Sequence, residues 1–369
     1  MKIFVVGAGI GGLSLAWALR ERGHSVSVFE KGAIPNPVSS SWDEHRMTRH
    51  AYGSLTSYAR MMPQAFRRWD RIWQAIGNAH YDPVGAVYII REENDWCRET
   101  SASLDELGIG YRYLTQAEFR ERLPMVSSQN VSKVLATEGA GMLHASRILN
   151  GLCVWLSQND VRLAAYTPVE EIDADHGRIR LSDGWVEADL VVVTAGAWVL
   201  DLIPELRSDL NPSRQSVLYL APPKQYASAW TKAPVIVDTS KECENYALPP
   251  RNGTRLKIGD HVFTYRGLPD DPRLASDEDL TRLRRAIAGG YNDAAEYAEI
   301  ERKACYYAVR DDERFIVKSI GDKAHVVSAC SGHGFKLQPL ITEGLADAID
   351  GKRTFDDVRS WAYGSDIAR

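Results

Sequence analysis

A glycine-rich loop at the start of the chain constrains its fold more than any other feature. Gly7, Gly9 and Gly12 follow a β-branched run, Lys2 to Val6, and open a segment, Leu13 to Arg22, whose apolar residues recur at helical spacing. Glycines between a strand and a helix permit a tight turn and let a pyrophosphate approach the helix N-terminus, where free N–H groups and the helix dipole favour anions. The pattern predicts a nucleotide-binding β-α-β unit.

The second strand of that unit supports the same interpretation. Val26 to Phe29 is apolar and ends at Glu30, at about the 20-residue spacing at which dinucleotide-binding folds place an acidic residue on the ribose. Glu30 is therefore predicted to accept hydrogen bonds from the adenosine ribose hydroxyls. NAD and FAD share this fingerprint, so the motif alone leaves the choice between the two cofactors open.

Hydrophobic periodicity predicts further elements along the chain. A run of apolar residues without polar interruption indicates a strand that is buried on both faces of its sheet. The patterns predict helices over Ser54–Ala75, Asp277–Ala288 and Leu340–Ile349, and strands over Val161–Ala165, Val169–Ile172, Asp189–Thr194 and His325–Ser328.

The return of buried-strand and helix patterns near the end of the chain indicates two interleaved domains. A length of 369 residues is more than one average domain needs. We predict an α/β fold in which a Rossmann-type, nucleotide-binding domain comprises residues 1–80, 145–215 and 306–369. A mixed antiparallel-sheet domain for substrate is predicted over residues 81–144 and 216–305.

Charge and composition exclude several functional classes. The net charge of −5 is spread along the chain without a basic block, so neither a nucleic acid nor an anionic membrane is an expected partner. The longest apolar runs are shorter than the roughly 20 residues that span a bilayer. The apolar start runs into the glycine loop rather than a cleavage site, which favours a cytoplasmic location. We expect a monomer or a small homo-oligomer.

The cysteines give no sign of a disulfide framework or a metal site. They are odd in number and scattered without the paired spacing of zinc ligands. We therefore predict no metal, and any role must be argued for each cysteine separately. The five cysteines are Cys97, Cys153, Cys243, Cys305 and Cys330.

Four segments, taken together and in order, indicate a family. They are Arg46 to Gly53, the pair Lys257 and His261, the triplet Cys305-Tyr306-Tyr307, and Ser331 to Lys336. These segments resemble the sarcosine oxidase group, with N-methyltryptophan oxidase and pipecolate oxidase, of the D-amino acid oxidase superfamily of flavoproteins. The resemblance covers nearly the whole chain. It is weakest between about residues 80 and 140 and between about 200 and 245.

The resemblance implies that the Rossmann-type domain binds FAD. It places Cys305 where the relatives attach the flavin through a thioether to the 8α-methyl carbon, although a buried cysteine in a strand also serves as a small hydrophobe. Gly332, Gly334 and Lys336 lie in a glycine loop ahead of a helix, where a cation supports negative charge on the reduced flavin. Val169 is also assigned to the cofactor site.

Other residues are predicted at the active site. In the similar enzymes, the lysine that matches Lys257 promotes the reaction with oxygen. A cation at this position stabilises the negative charge that develops on oxygen as it is reduced. The other possibility is an ordinary lysine of an edge strand. Arg46 matches an arginine near the flavin ring. His261 and Tyr307 match residues that shape the pocket, and a purely structural role for these two remains open.

Arg49 and Lys336 match the pair that holds the substrate carboxylate in the sarcosine oxidase group. Arginine suits this role because its planar fork meets a carboxylate with two hydrogen bonds. The sequence departs from the family just ahead of Arg46. The sarcosine oxidases carry a Ser-His-His-Gly-Asp-Thr-like run, whereas this chain has Ser41-Trp42-Asp43-Glu44-His45. Because bulk and charge change beside the flavin, a larger or cyclic amino acid or an imino acid is as plausible a substrate as sarcosine.

The function implied is FAD-dependent oxidation of the C–N bond of a small amino or imino acid. Oxygen would be the electron acceptor and hydrogen peroxide a product. Two alternatives stay open at this point. One is a flavin dehydrogenase that passes electrons to another acceptor, and the other is a non-catalytic flavoprotein subunit, since a fold alone does not guarantee activity.

Overall fold

A computed structural model describes residues 1–92 and 94–365 of the chain. The helices are α1 (Ile10–Glu21), α2 (Thr56–Ile76), α3 (Asp95–Glu106), α4 (Gln116–Arg122), α5 (Ala145–Gln158), α6 (Val199–Leu202), α7 (Ala227–Trp230), α8 (Asp277–Gly290), α9 (Gly334–Ile349) and α10 (Phe355–Tyr363). Among the described residues, no helix has both the length and the apolar character needed to cross a membrane.

The strands are β1 (Lys2–Val6), β2 (Ser25–Phe29), β3 (Arg46–Thr48), β4 (Tyr81–Asp82), β5 (Ala86–Ile90), β6 (Tyr111–Tyr113), β7 (Lys133–Thr137), β8 (Gly141–Leu143), β9 (Arg162–Ala164), β10 (Glu171–Asp173), β11 (Arg178–Leu181), β12 (Gly184–Glu187), β13 (Leu190–Val193), β14 (Asn211–Ala221), β15 (Val235–Asp238), β16 (Asn245–Leu248), β17 (Leu256–Gly259), β18 (Ala298–Val309), β19 (Ile316–Gly321) and β20 (Ala324–Ser328). They form two large sheets and two three-stranded sheets.

The six-stranded sheet has β1 near its centre, in the order β19-β20-β13-β1-β2-β9. β1 pairs in parallel with β13 on one side and with β2 on the other. All four residues of β13 are buried, as expected for a parallel strand that is covered on both faces. β19 joins the edge antiparallel to β20. The carboxyl ends of β1, β2 and β13 therefore meet at one edge, where nucleotide folds bind their ligands.

Helices α1, α2, α5 and α9 cover one face of this sheet in a single apolar core. α1 has an unbroken buried stretch from Ile10 to Leu19, which is typical of a helix that is packed on nearly all sides. Its Ser14 hydroxyl lies 3.1 Å from the Thr342 hydroxyl of α9. The N-termini of both helices are thereby held next to the same sheet edge.

The eight-stranded sheet has the order β18-β14-β17-β16-β15-β5-β7-β6. Its longest pairing is antiparallel, between β14 and β18, and opposes Gln215 to Cys305. β5 pairs in parallel with β15 and antiparallel with β7, so the sheet is mixed. β18 thus presents the Cys305-Tyr306-Tyr307 triplet from the edge strand of the second sheet.

The predicted fold class is confirmed: a Rossmann-type α/β sheet is combined with a mixed, mainly antiparallel sheet. The domain boundaries stay a prediction, and residues 366–369 of the last predicted segment lie outside the described residues. Two element boundaries were wrong. α9 begins at Gly334 rather than Leu340 and contains Pro339, a residue that usually ends a helix pattern. Val169 precedes β10, which begins at Glu171.

Candidate cofactor cleft and active site

A cleft opens at the carboxyl edge of the six-stranded sheet. Its walls include the glycine loop after β1, Glu30 after β2 and Thr194 after β13. Val169, Gly332 and Gly334 also line it. We call this space the cofactor cleft. Its lining includes Gly7, Gly9, Glu30, Val169, Thr194, Arg46, Tyr307, Gly332, Gly334 and Phe335.

The glycine loop brings β1 and α1 into close contact. Gly7 has φ +105°, a conformation that L side chains rarely adopt. A Cβ at Gly12 would lie 1.8 Å from the Gly7 carbonyl oxygen, so no side chain fits there. Gly9 is the N-cap of α1 and supplies no side-chain cap to the helix. The Ser41 hydroxyl accepts from the Ile10 amide at 3.0 Å, and the positive end of the α1 dipole faces the cleft.

Glu30 is buried at the end of β2 and already has partners. One carboxylate oxygen accepts from the Ala8 amide at 2.9 Å, and the other accepts from the Gly32 amide at 3.1 Å and the Asn36 side chain at 2.9 Å. A carboxylate offers about four acceptor positions. One therefore remains for a hydroxyl such as that of a ribose, and Glu30 lines the cleft.

A second cavity adjoins the cleft, with a volume of about 360 Å³. We call it the charged cavity, and its lining includes Arg46, Arg49, Tyr52, Trp96, Glu244, Tyr246, Lys257, Asp260, His261, Tyr307, Glu313, Gly332, His333, Phe335 and Lys336. Arg46, Tyr307, Gly332 and Phe335 line both spaces. These four residues mark the boundary at which a group held in the cleft would meet a molecule in the cavity.

Two of the cations in the charged cavity lack an anionic partner. Arg49 lies 5.5 Å from the centre of the Tyr52 ring, and Lys336 Nζ lies 5.6 Å from it. Within residues 1–92 and 94–365 neither forms an ion pair, and Arg49 Nε is buried without a hydrogen-bond partner. Burial, followed by repulsion from Arg49, holds the pKa of Lys336 well below its usual range.

The position of Lys336 adds to its electrostatic cost. It stands in the first turn of α9, a helix without a side-chain cap at its N-terminus. The helix dipole places partial positive charge at that end, which disfavours a cation. The neighbouring His333 also has a pKa well below its ordinary value. The larger cause is burial, and the second is the positive charge of Lys336. This part of the cavity therefore favours an anion.

Lys257 lies on β17 with only 1% of its side chain exposed. Its Nζ donates to the Asp43 carboxylate at 3.1 Å and to the His45 carbonyl at 2.5 Å. Burial lowers the pKa of Lys257 to about 8, while Asp43 opposes that shift. Arg46 donates to the same carboxylate and to the Ser40 carbonyl. The two cations thus share one buried anion.

Cys305 lies on the face of β18 that also carries Tyr307, since alternate residues of a strand share a face. Burial raises the pKa of the Cys305 thiol, and Arg46 opposes the shift. Tyr307 lines both spaces, whereas Cys305 is not among the described residues that line either. Cys330, to which the sequence assigned no role, lines the cofactor cleft.

His261 stands at the exposed rim of the charged cavity. Its Nε2 lies 3.1 Å from Glu313, and 43% of its side chain is exposed. A Cβ at Gly332 would lie 3.2 Å from the His261 ring, so this histidine flanks the glycine loop. Glu244 lines the same cavity. Burial and the nearby Asp260 and Glu313 raise the pKa of Glu244, whereas His261 lowers it.

The structure brings together the residues that the sequence assigned to catalysis. Arg46, Arg49, Lys257, His261, Tyr307 and Lys336 all line the charged cavity. Gly12 is not among the residues lining the cleft and packs against Gly7 instead. Sequence reasoning missed Asp43, Tyr246 and His333. The only signal for Asp43 was the departure from the family run ahead of Arg46.

The residues of the cleft fit FAD. The N-terminus of α1 and the Gly7 turn suit a pyrophosphate, and Glu30 has an acceptor left for a ribose hydroxyl. Arg46 and Tyr307 also line the cleft and would contact the ring system of a bound FAD. Among the described residues no group of three His, Cys, Asp or Glu side chains could hold a metal ion.

Comparison with known proteins extends this description. The protein-family model described as FAD dependent oxidoreductase matches residues 2–348. Monomeric sarcosine oxidase from Bacillus sp. (strain B-0618) is 26% identical over 366 residues, which cover 96% of this chain and 93% of the relative. N-methyl-L-tryptophan oxidase from Yersinia pestis (strain Pestoides F) is 23% identical over 371 residues, or 98% of both chains. The solved structure of L-proline dehydrogenase from P. horikoshii superposes with a TM-score of 0.83 at 18% identity, covering 99% of this chain and 96% of that one.

Proposed function

This chain belongs to the FAD dependent oxidoreductase family, and we propose that it oxidises the C–N bond of a small, carboxylate-bearing amino or imino acid to an imine. The family match and the curated relatives confirm the resemblance to the sarcosine oxidase group and make FAD the cofactor. The relatives are named as oxidases of sarcosine and of N-methyl-L-tryptophan, both N-methylated amino acids. A secondary amine is therefore the substrate class that we favour.

One observation carries the proposal: Arg49 and Lys336 line one cavity that borders the cofactor cleft, and neither forms an ion pair with a residue that the structure describes. Two buried like charges repel each other unless an anion relieves the repulsion. A substrate carboxylate supplies that anion, and the planar fork of Arg49 suits it. The binding of the carboxylate would hold the amine carbon at the boundary formed by Arg46, Tyr307, Gly332 and Phe335.

The protein's contribution is orientation and electrostatics. FAD, when bound, accepts the two electrons and the hydrogen that leave the substrate carbon. Arg49 and Lys336 bind the carboxylate and fix the orientation of the amine carbon, which reduces the entropic part of the barrier. The buried ring of Tyr52 lies beside both cations and forms part of the wall at that end of the cavity. Tyr307 and His261 would shape the walls around the amine.

The proposed electron acceptor is oxygen, with hydrogen peroxide as product. The support is Lys257, a buried cation on the wall of the charged cavity. A fixed positive charge in a water-poor site stabilises the negative charge that oxygen gains as it is reduced. We also propose a thioether between Cys305 Sγ and the flavin 8α-methyl carbon. The new S–C bond replaces one S–H and one C–H bond, and the two electrons pass to oxygen.

The test is an anaerobic titration of purified holoenzyme with a panel of amines. N-methyl amino acids, cyclic imino acids and primary amino acids are each compared with the amine that lacks the carboxylate. We expect at least one carboxylate-bearing secondary amine to bleach the flavin absorbance, and air to restore it with release of hydrogen peroxide. A panel in which no amine bleaches the flavin would contradict the proposed reaction. Bleaching that air does not reverse would contradict only the proposed acceptor.

A further inference from the structure

We propose that Asp43 is a positioning residue, whose buried carboxylate fixes Lys257 and Arg46 at the wall of the charged cavity and stabilises the cationic form of Lys257. Its consequence for oxygen rests on the proposed function of Lys257. Its consequence for the charge of Lys257 does not. The inference concerns a residue that neither the sequence motifs nor the family resemblance placed in the site.

The contacts of Asp43 come from four separate segments of the chain. Its side chain is 3% exposed. It accepts hydrogen bonds from Arg46 on β3, from the Tyr219 hydroxyl on β14 and from Lys257 Nζ on β17. Lys303 on β18 lies 3.8 Å away. Burial alone raises the pKa of Asp43, but Arg46, Lys257 and Lys303 together hold it well below its usual range. Asp43 is therefore an anion at neutral pH.

The contacts of Lys257 explain why this anion matters. An ammonium group has three N–H donors, and two of them are used by Asp43 and the His45 carbonyl. The third is left for the charged cavity that Lys257 lines. Both acceptors lie in the same short segment ahead of β3, so that segment alone sets the direction of the free donor.

The charged and titratable groups facing Lys257 otherwise work against its charge or have little effect on it. Arg46 repels it, and burial keeps the His45 ring neutral, with a pKa of about 3. Cys305 on β18 is a thiol whose pKa is raised by burial. Tyr219 and Leu248 are its neighbours on the adjoining strands, and the pKa of Tyr219 is raised by burial. Glu244, Asp260 and Glu313 line the same cavity, but among the described residues only the carboxylate of Asp43 pairs with Lys257 Nζ.

Family comparison makes the position of Asp43 informative. The run that sarcosine oxidases carry ahead of the matching arginine is Ser-His-His-Gly-Asp-Thr-like. When that run is aligned on Arg46, its glycine stands where this chain has Asp43. A glycine offers no charge to the lysine.

The first experiment measures the charge of Lys257 directly in the holoenzyme. Lysine labelled with ¹³C at the ε carbon is incorporated, and the Lys257 signal is identified by its absence in Lys257→Met. In the parent protein we expect this signal to titrate near pH 8, the pKa given by burial and Asp43 together. In Asp43→Asn, loss of a contacting anion should lower the midpoint by at least about one pH unit. An unchanged midpoint would overturn the proposal.

The second experiment follows the consequence for oxygen. A one-unit fall in the midpoint from about 8 would lower the cationic fraction at pH 8 roughly five-fold, and at pH 6 by less than two-fold. The rate at which oxygen restores the oxidised flavin absorbance in Asp43→Asn should follow that fraction. A merely structural role would slow the rate equally at both pH values. In the Lys257→Met background the Asp43→Asn substitution should remove no further pH dependence.

The two proposals fail in different ways. If Lys257→Met does not slow the reaction with oxygen, the proposed acceptor is wrong, while a shifted Lys257 midpoint would still support the role of Asp43. If Lys257→Met slows it but Asp43→Asn changes neither the midpoint nor the pH profile, the role of Asp43 alone is wrong. Should Asp43→Asn not accumulate as folded holoenzyme, Asp43→Gly replaces it, because glycine occupies this place in the family run. Tyr219→Phe is the control, since it keeps the carboxylate and should keep the pH profile.

Discussion

The cofactor cleft and the charged cavity share a wall but are built in different ways. The ligand-facing features of the cleft come from neighbouring sequence: the Gly7 turn, the N-terminus of α1 and Glu30 at the end of β2 all lie within the first 30 residues. The cavity is lined by side chains from β3, β17, β18 and α9, which are distant in sequence. The geometry of a local backbone motif can be predicted from the residues of that motif. The geometry of a set of side chains from distant segments depends on the whole fold.

The difference also concerns how each region tolerates change. In the cleft the limiting factor is space, because a Cβ at Gly12 has no room. In the cavity it is charge, because four cations, Arg49, Lys336, Lys257 and Arg46, line one space. Of these four, only Lys257 and Arg46 pair with the buried Asp43 carboxylate. Substitutions in the cleft should therefore cause loss of the cofactor. Those in the cavity should leave FAD bound and change individual steps of the reaction.

The largest effect is expected from Gly12→Ala. The new Cβ would lie 1.8 Å from the Gly7 carbonyl oxygen and 2.7 Å from the Thr194 hydroxyl, so β1 and α1 must separate. We expect the flavin-to-protein ratio of the purified variant, measured by visible absorbance, to fall to background. Gly110→Ala is the matched control, because nothing lies within 4 Å of a Cβ there. Full flavin content in Gly12→Ala would show that the turn is more adaptable than its contacts indicate.

Cys305→Ala tests whether the second sheet fixes the cofactor covalently. The parent protein should stay yellow after acid precipitation, and the variant should release its colour into the supernatant while still binding FAD before precipitation. Cys330→Ala is the control, since this cysteine lines the cofactor cleft and Cys305 is not among the lining residues. Retention of colour by Cys305→Ala and its loss in Cys330→Ala would assign the linkage to Cys330 instead.

Local motifs predicted the parts of the fold that depend on local sequence. The β-α-β unit, Glu30 at the end of β2, the buried strand β13 and most of α2 and α8 were predicted from spacing and periodicity. The start of α9 was not, because Pro339 and two glycines obscure a helix that is held by packing on α1. The parallel pairing of β5 with β15 joins residues that are far apart in sequence. No local sequence pattern predicts this pairing.

The candidate site could be predicted only through the resemblance. Nothing in the spacing of Arg49 and Lys336 indicates that both approach the ring of Tyr52. The sequence indicated Asp43 only as a departure from the family run. Its proposed role depends on contacts with Tyr219, Lys257 and Lys303, which lie on three strands of the eight-stranded sheet. Long-range contacts of this kind are fixed by tertiary structure.

Lys257→Met should separate the two halves of the reaction. Removing one stabilising charge from a preorganised site typically slows the step it serves by about 100-fold or more. We expect that loss in the reoxidation of the flavin by oxygen, measured by stopped-flow absorbance, and a change of less than about five-fold in anaerobic reduction by substrate. Lys303→Met is the control, because Lys303 also approaches Asp43 but is not among the residues lining the charged cavity. Equal slowing of both half-reactions would indicate a structural role for Lys257.

The smallest of these effects, and the one that bears on substrate identity, is expected from Arg49→Gln. Charge-assisted hydrogen bonds to a buried anion contribute about 1.5–3 kcal/mol, or roughly ten- to a hundred-fold in affinity. The dissociation constant of a carboxylate ligand, measured by its perturbation of the flavin spectrum, should therefore rise at least about ten-fold while FAD stays bound. The control is Lys241→Gln, which removes an exposed cation from the rim of the same cavity and should change affinity little, because water screens it.

The same substitution decides whether the carboxylate is held for binding alone or also for chemistry. If Arg49 fixes the orientation of the amine carbon, its loss misaligns the reacting atoms, and the limiting rate of anaerobic flavin reduction should fall together with the affinity. A higher dissociation constant with an unchanged limiting rate would mean that Arg49 contributes equally to substrate and transition state. The parent enzyme gives the complementary result: the decarboxylated amine should be a poor substrate. If that amine is oxidised as efficiently as the amino acid, Arg49 and Lys336 must serve an anion other than the substrate carboxylate.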